Sequence, residues 1–313
     1  MKNFISSPIK KILVALDASP LDDSIFEYAR FIVDAMDVEK VYFVNTIKNF
    51  NLPDEIKDEF PELIDKAIND RKEKLTSIIT KWFKDVKVDQ DIIVQPDQTT
   101  KFIMEFAQDN DLDLIILGRK HTLPSSGVTV PRLARRASCS LLIVPENSHP
   151  NIKNTLVPID FSDYSRIALE HAIRIASLNH SEIDVDIVCQ NVYNVPAGYH
   201  FTGKSFEEFD EIMREHAKKN YEKFIKDIPT ENSDFKTIYS LDKNDNLTSE
   251  IYDQAKEHKA DLIIIGAKGR TTTAALLLGS FAEKLINTVR DIPLMITRPK
   301  GKKEGIIDYI KEI

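Results

Sequence analysis

The sequence contains little cysteine and little glycine, and it has no long apolar run. Only two of its 313 residues are cysteines and nine are glycines. Cys139 and Cys189 both lie in apolar surroundings, which is typical of buried free thiols in a reducing compartment. No run approaches the roughly 20 apolar residues that span a bilayer, and residues 1–8 lack the apolar core of a signal peptide. These absences predict a cytoplasmic protein without a membrane partner.

An excess of basic residues is also absent. The chain has 42 lysines and arginines against 50 aspartates and glutamates, a net charge of −8. Nucleic-acid binding needs a basic face, so this balance argues against a nucleic-acid partner. It leaves room for a local basic pocket that holds a phosphate. The length and the 42% hydrophobic content are sufficient for two globular domains.

The chain repeats itself at about half its length. Each half begins with an apolar strand that ends in Asp-x-Ser, at residues 17–19 and at residues 160–162. Each half also contains an apolar strand that ends in glycine, at Gly118 and at Gly266. A repeat of this length indicates a duplicated domain, because solenoid repeats are only about 20–50 residues long.

Strands and helices alternate within each half, which predicts a parallel sheet covered by helices on both faces. The predicted strands lie near residues 12–16, 40–46, 86–94, 113–117 and 141–144, and near 155–159, 184–192, 235–240, 261–265 and 294–297. Prolines and polar residues at 145–151 mark a linker. The predicted domains are residues 1–146 and 151–299, followed by a linker and a short amphipathic tail at 300–313.

Three of the nine glycines, Gly266, Gly269 and Gly279, lie between the apolar run 261–265 and an expected helix. Ser280 follows the third glycine at the helix start. Glycine lets the backbone approach an anion closely. A helix N-terminus adds free N–H groups and the positive end of a dipole. The segment therefore predicts a phosphate cradle beyond the carboxyl ends of the strands, where such sheets bind ligands.

The spacing Gly-x2-Gly-x9-Gly-Ser resembles the ATP-binding signature of the universal stress protein family, and the repeat extends this resemblance over nearly the whole chain. The resemblance implies two tandem five-stranded parallel α/β domains of the Rossmann-like, adenine-nucleotide alpha-hydrolase-like type. It implies that the two domains pair about a pseudo-twofold axis. It also implies that ATP, with or without Mg²⁺, is the ligand.

The same resemblance assigns roles to single residues. Asp160 bonds the ribose or the adenine, Gly266 and Gly269 let the backbone approach the ribose and phosphates, and Gly279 and Ser280 donate N–H groups to the phosphates. The implied binding set is Pro158, Asp160, Gly266, Lys268, Gly269, Arg270, Gly279, Ser280 and Phe281. The alternative is that the glycines serve only turns and caps, and that Asp160 caps the next helix.

The motif is altered in the first half. Gly118 is kept, but His121 replaces the second glycine, Gly127 follows after a shorter loop, and Val128 replaces the serine. The region is basic, with Arg119, Lys120, His121, Arg132, Arg135 and Arg136. Two interpretations remain: a half kept for packing with a solvated basic face, or a site for a different anion or nucleotide.

Residues 198–205 also match a phosphate-binding pattern, Gly-x4-Gly-Lys-Ser. Four carboxylates follow at residues 207–211, and they oppose a bound triphosphate at the helix start. We therefore favour a connecting loop before a capped helix over a true P-loop. A third interpretation is a lid in which Tyr199, His200 and Lys204 fold over a ligand.

The C-terminal tail places Ile306, Ile307, Ile310 and Ile313 at helical spacing. This predicts a short helix that docks on its own chain, on a neighbouring subunit of a homodimer, or on another protein partner. For the whole chain the sequence favours a nucleotide-binding stress protein with a regulatory role. A slow ATPase and a nucleotide-free scaffold are the alternatives, and no catalytic residue or metal ligand is predicted.

Overall fold

The computed structural model describes residues 6–47, 53–96, 99–120, 129–178, 185–230, 235–269 and 278–300. The chain divides into two compact units. The first unit is Pro8–Pro150, and the second starts at Asn151 and also includes residues 6–7. The tail beyond Lys300 lies outside the described residues.

The first unit contains five strands and five helices among its described residues. The strands are β1 (Lys11–Leu16), β2 (Lys40–Ile47), β3 (Asp89–Pro96), β4 (Leu114–Arg119) and β5 (Ser140–Pro145). The helices are α1 (Leu21–Ala35), α2 (Asp54–Glu59), α3 (Leu63–Phe83), α4 (Thr99–Asp109) and α5 (Thr129–Arg136). The strands pair in parallel in the order β3-β2-β1-β4-β5.

The second unit repeats this arrangement. Its strands are β6 (Asn154–Pro158), β7 (Asp186–Tyr193), β8 (Phe235–Leu241), β9 (Leu262–Gly266) and β10 (Leu294–Thr297). Its described helices of α type are α6 (Asp163–Leu178), α7 (Phe206–Ile225), α8 (Leu247–Glu257) and α9 (Ser280–Thr288). The parallel order is β8-β7-β6-β9-β10. The predicted fold of two five-stranded parallel α/β domains is confirmed.

Several strands of each sheet are buried on both faces, which explains their nearly continuous apolar sequence. In β1 the side chains of Ile12, Leu13 and Val14 are fully buried, and β5 and β10 are buried along their whole length. The helices cover these faces with amphipathic surfaces. Helix α1, for example, buries Ile25, Phe26 and Ala29 against the sheet and leaves Asp23 exposed.

An aspartate ahead of the fourth strand of each unit holds the start of the first strand. Asp113 Oδ2 accepts hydrogen bonds from the backbone N–H groups of residues 10 and 11, both at 2.9 Å. Asp261 Oδ2 does the same for residues 153 and 154, at 2.9 and 3.0 Å. Each carboxylate therefore fixes the register of the two strands that flank the reversal in strand order.

Residues 6–7 belong to the second unit through a buried carboxylate on α6. The backbone N–H of Ser6 donates to Oε2 of Glu170 at 2.7 Å. Glu170 is completely buried, and Nε of Arg166 donates to its other oxygen at 3.1 Å. Arg174 Nη2 returns to the Ser6 carbonyl at 3.3 Å. Ser6 is thus part of the α6 packing.

Both cysteines are free and buried, as predicted. Burial raises the pKa of the Cys189 thiol to about 12, so this thiol stays protonated and unreactive at neutral pH. Among the helices in the described ranges, none combines the length and the apolar character needed to cross a membrane.

Replacing Asp113 with alanine is expected to lower the free energy of unfolding by about 1.5–3 kcal/mol. This is the usual contribution of hydrogen bonds to a charged group, and the change removes the acceptor of two backbone N–H groups. Urea denaturation measures the loss. Asp109→Ala, at the exposed end of α4, is the control and should change stability by no more than about 0.5 kcal/mol. Equal effects of the two substitutions would contradict this role of Asp113.

Candidate functional site

The strand order reverses between β6 and β9, and this is where open parallel sheets bind ligands, beyond the carboxyl ends of the strands. Pro158 is the last residue of β6, and Asp160 lies two positions further along the chain. Gly266 ends β9. The N–H of Gly279 donates to the carbonyl of Ala267 at 2.8 Å, which brings the start of α9 back to the end of β9. Both parts of the glycine motif therefore lie near Asp160, at the carboxyl ends of β6 and β9. Arg270 lies outside the described residues.

Asp160 is held in a turn by Ser162. Its Oδ1 accepts from the Ser162 N–H at 3.1 Å and from the Ser162 hydroxyl at 2.6 Å. The residue between them, Phe161, has φ of 66°, in the left-handed region that costs a non-glycine residue about 1–2 kcal/mol. The serine hydrogen bonds stabilise this strained turn and fix the direction of the carboxylate.

Gly269 lies directly against the Asp160 carboxylate. A Cβ atom built on Gly269 would stand 2.8 Å from Asp160 Oδ2, so a side chain there would force the carboxylate to shift. The loop after β6 and the loop after β9 therefore meet at this point, and glycine lets them do so without displacing the carboxylate. This contact joins the two parts of the sequence that were predicted to share a ligand.

Gly266 has a different reason to be glycine. A Cβ atom there would lie 2.7 Å from Tyr164 Cβ and 2.8 Å from the Tyr164 carbonyl carbon and oxygen, on helix α6. Gly118 of the first unit similarly accommodates Leu21 and Ile25 of α1. These glycines allow a helix to pack closely on the sheet, whether or not a ligand is present. The proposed approach of Gly266 to the ribose stays a prediction.

The N-terminus of α9 is capped by a residue without a side chain. Gly279 is the N-cap, whereas the N-caps of α7 and α8, Ser205 and Asn246, accept hydrogen bonds with their own side chains. The first N–H groups of any helix have no partner within the helix. Gly279 is buried and Ser280 is exposed, so the Ser280 side chain is accessible at the start of α9.

Lys268 places a positive charge at the same edge. Its Nζ lies 5.8 Å from the centre of the Tyr164 ring, within the range of a cation–π interaction. The first turn of α9 carries one carboxylate, Glu283, and Phe281 is half-buried beside it. The lysine offsets the negative charge that Asp160 and Glu283 bring to the site.

A buried asparagine, which the motif analysis missed, anchors the loop that carries Asp160. Asn191 on β7 donates from Nδ2 to the carbonyl of Ile159 at 2.7 Å. In the first unit Asn45 on β2 donates to the carbonyl of Leu16 at 2.9 Å. Both side chains are buried. A polar residue inside a buried apolar strand was the available signal, because such residues need a partner.

The first unit builds the same turn but closes it differently. Asp17 Oδ1 accepts from the Ser19 N–H at 3.1 Å, and Ala18 has φ of 58°, matching the turn of the second unit. Asp17 Oδ2, however, forms an ion pair with Lys120 Nζ at 2.7 Å. Burial would raise the pKa of Asp17, but the hydrogen bonds from Lys120 and Ser19 outweigh it and lower the pKa. His121, Gly127 and Val128 lie outside the described residues.

Asp22, in the first turn of α1, accepts from two further backbone N–H groups of this turn. Its two oxygens accept from the N–H groups of Asp17 at 3.1 Å and Ala18 at 2.8 Å. Burial raises the pKa of Asp22 to about 6, and the nearby charge of Asp17 acts in the same direction. The hydrogen bonds and the charge of Lys120 act against that rise. The second unit has Ser165 at this position, and its hydroxyl donates to the Ser162 carbonyl at 2.9 Å.

The P-loop-like segment leads into a helix that the chain itself caps, as the favoured interpretation predicts. The lid interpretation for Tyr199, His200 and Lys204 stays a prediction. Residues Tyr199–Thr202 form a short 3-10 helix, and Gly203 has φ of 76°. Ser205 then caps α7: its hydroxyl accepts from the Glu208 N–H at 3.2 Å, and Glu208 Oε2 accepts from the Ser205 N–H at 2.9 Å. A carboxylate of the chain itself thus takes the place that a phosphate would need.

A model of the universal stress protein family matches residues 8–145 and, separately, residues 151–298. Universal stress protein MJ0531 of Methanocaldococcus jannaschii is 30% identical over 149 residues, which are 47% of this chain and 84% of that protein. MJ0577 from the same organism is 27% identical over 157 residues, 47% of this chain and 95% of that protein. The crystal structure of a universal stress protein from Archaeoglobus fulgidus covers 96% of this chain and 99% of its own, with a TM-score of 0.62 and 15% identity, a likeness of fold.

Gly266→Ala is expected to lower the free energy of unfolding by about 1–3 kcal/mol, because the added methyl group collides with the backbone of Tyr164. The matched control is Gly198→Ala. Its Cβ would meet only Phe201 Cδ2, at an ordinary 3.6 Å, and its φ of −85° suits alanine. The control should be neutral, or stabilising by at most about 1 kcal/mol. Urea denaturation of both variants decides, and a neutral Gly266→Ala would contradict the packing role.

Asp22 is expected to make stability depend on pH. Its pKa of about 6 in the folded protein lies above the ordinary value of 3.8, so the folded chain binds this proton more tightly than the unfolded chain. The resulting stabilisation is present at low pH and is lost as the pH rises from about 4 to about 6. The difference in unfolding free energy between the wild type and Asp22→Asn should fall by up to about 3 kcal/mol over this window.

Urea denaturation between pH 4 and pH 8 measures this difference. Asp23→Asn, at an exposed neighbouring position on α1, is the control and should show no such trend. A difference for Asp22→Asn that does not change with pH would refute the prediction.

Proposed function

This chain belongs to the universal stress protein family, as a tandem member with two copies of the domain, and on that premise we propose that its second unit binds ATP. The observation that carries the proposal is the contact between the Asp160 carboxylate and Gly269 at the carboxyl edge of β6 and β9. A carboxylate for the nucleoside and a backbone without side chains for the phosphates lie side by side there.

The nucleoside end of the ligand is assigned to Asp160. An ionised carboxylate offers about four lone-pair sites, so Asp160 can accept from ribose hydroxyls or an adenine amino group in addition to Ser162. The turn through Phe161 already holds its direction, so binding does not have to order this side chain. Pro158 and Ile159 lead into the turn, and Asn191 ties it to β7.

The phosphate end is assigned to the start of α9. The N–H groups of Ser280 and Phe281 lie in its first turn, and Gly279 leaves the space in front of them clear of a capping side chain. The helix dipole favours an anion at this position. Lys268 supplies a cation near the same edge, which matters because the chain as a whole is negatively charged.

We further propose that this binding serves regulation in the cytoplasm, with ATP occupancy changing which protein partner the chain binds. The groups at the site are those that bind and orient: a fixed carboxylate, backbone N–H groups and a lysine. Incubation with ATP and Mg²⁺ followed by measurement of released phosphate separates this role from slow hydrolysis. Turnover lost in a folded Asp160 variant would favour the enzyme.

Asp160→Asn is expected to weaken ATP binding by roughly 10–100-fold, measured by isothermal titration calorimetry. The amide keeps the shape and the turn to Ser162 but loses the charge, and hydrogen bonds to a charged group contribute about 1.5–3 kcal/mol. Asp17→Asn makes the same change in the corresponding turn of the first unit and should leave the affinity unchanged. If ATP affinity were lost in Asp17→Asn and kept in Asp160→Asn, the ATP site would lie in the first unit, and the proposed assignment to the second unit would be wrong.

A further inference from the structure

The two units present the same pair of side chains at the point where the strand order reverses, but they use them differently. Each has an aspartate after its first strand, Asp17 or Asp160, and a lysine two residues after a strand glycine, Lys120 or Lys268. In the first unit the lysine is bonded to the aspartate at 2.7 Å. In the second unit the lysine lies over an aromatic ring.

We propose that Lys120 closes the first unit to nucleotides by acting as an internal cation for Asp17, so that one chain holds one nucleotide. The inference rests on the proposed function of the second unit. It identifies Lys120 as a specificity-determining residue and resolves the two interpretations of the altered first-half motif in favour of a closed site.

The ion pair makes a ligand compete with Lys120 for Asp17. The side chain of Lys120 is 23% exposed and that of Asp17 is 45% exposed, so the lysine end of the pair is partly shielded from water. A nucleoside offers Asp17 neutral hydroxyl or amino donors, whose bonds to the carboxylate are weaker than a bond between two charged groups. Displacement would also leave the Lys120 charge in a partly buried position without its partner.

The backbone of the turn is occupied as well. Asp22 takes the N–H groups of Asp17 and Ala18, and the Ser19 N–H goes to Asp17 Oδ1. The backbone N–H groups of residues 17–19 and both carboxylate oxygens of Asp17 therefore have partners within the unit. In the second unit, Ser165 at the position of Asp22 directs its hydroxyl to the Ser162 carbonyl instead.

The residue one position before Asp22 and Ser165 also differs between the units. In the second unit it is Tyr164, whose ring centre lies 5.8 Å from Lys268 Nζ. In the first unit it is Leu21, which has no π face to attract an ammonium group. Lys120 bonds to the carboxylate of Asp17 there.

The test counts ATP molecules per chain by native mass spectrometry and calorimetry of the full chain with ATP and Mg²⁺. The wild type should bind one ATP. Lys120→Met keeps the aliphatic stem and removes the charge, and it should raise the number to two. The second ATP should bind more weakly than the first, because the first unit has His121 and Val128 in place of the second glycine and the serine of the phosphate motif. Adding Asp17→Asn to Lys120→Met should return it to one. Lys120→Gln, which keeps a polar tip, should show the same gain if the methionine variant does not fold.

Lys40→Met is the matched control. Lys40 also belongs to the first unit and also pairs with carboxylates, Asp89 at 2.6 Å and Asp91 at 2.8 Å, but at the start of β2. Its removal should leave one ATP per chain. Folded Lys120 variants that still bind one ATP would overturn the role of Lys120 and leave the second-unit site intact. Two ATP molecules on the wild type would also overturn it, whereas none on the wild type would refute the proposed function itself.

Discussion

A hydrogen bond from a buried asparagine to the last carbonyl before the first-strand turn is the interaction on which each site depends. A parallel sheet leaves its strand-end backbone groups at one edge, where a buried group needs a partner. Asn45 and Asn191 supply that partner from the neighbouring strand. Once the carbonyl is held, the chain can leave the sheet through a left-handed residue, and the aspartate before that residue is fixed at the point where the strand order reverses. Hydrogen bonds from the serine that follows then offset the conformational cost of the left-handed residue.

The duplicated units carry different side chains on a common backbone arrangement. Strand order, the aspartate turn and the asparagine anchor are common to both. At the edge where the strand order reverses, Lys120 bonds to Asp17 in one unit, and Gly269 lies against Asp160 in the other. The backbone arrangement of such a site is hard to change, because it depends on buried side chains, strand register and a left-handed residue at the same time. Exchange of single residues at the edge is therefore the easier way for duplicated units to diverge.

Much of the fold could be predicted because the strands are buried on both faces and read as apolar runs, as in residues 261–265 and 141–144. Helix starts were harder to predict: α1 begins at Leu21 after Pro20, and no side-chain cap marks its first turn. The pairing of Lys120 with Asp17 could not be predicted, since it joins residues about a hundred positions apart and depends on a side-chain direction that spacing does not encode. The two reasons for glycine could not be separated either. Gly266 and Gly269 look alike in sequence, but one faces a helix and the other a carboxylate.

Residues 6–7 give the second unit a property that its sequence repeat conceals: it is a discontinuous domain. Ser6 reaches Glu170 across 164 positions of the chain, and the whole of the first unit is inserted between them. A single cut in the linker at 145–151 would separate the second unit from its own first residues and remove a donor from a completely buried carboxylate. The two halves of the sequence therefore do not coincide with the two structural units. Transfer of the first half to another protein would include residues 6–7 of the second unit, and transfer of the second half would omit them.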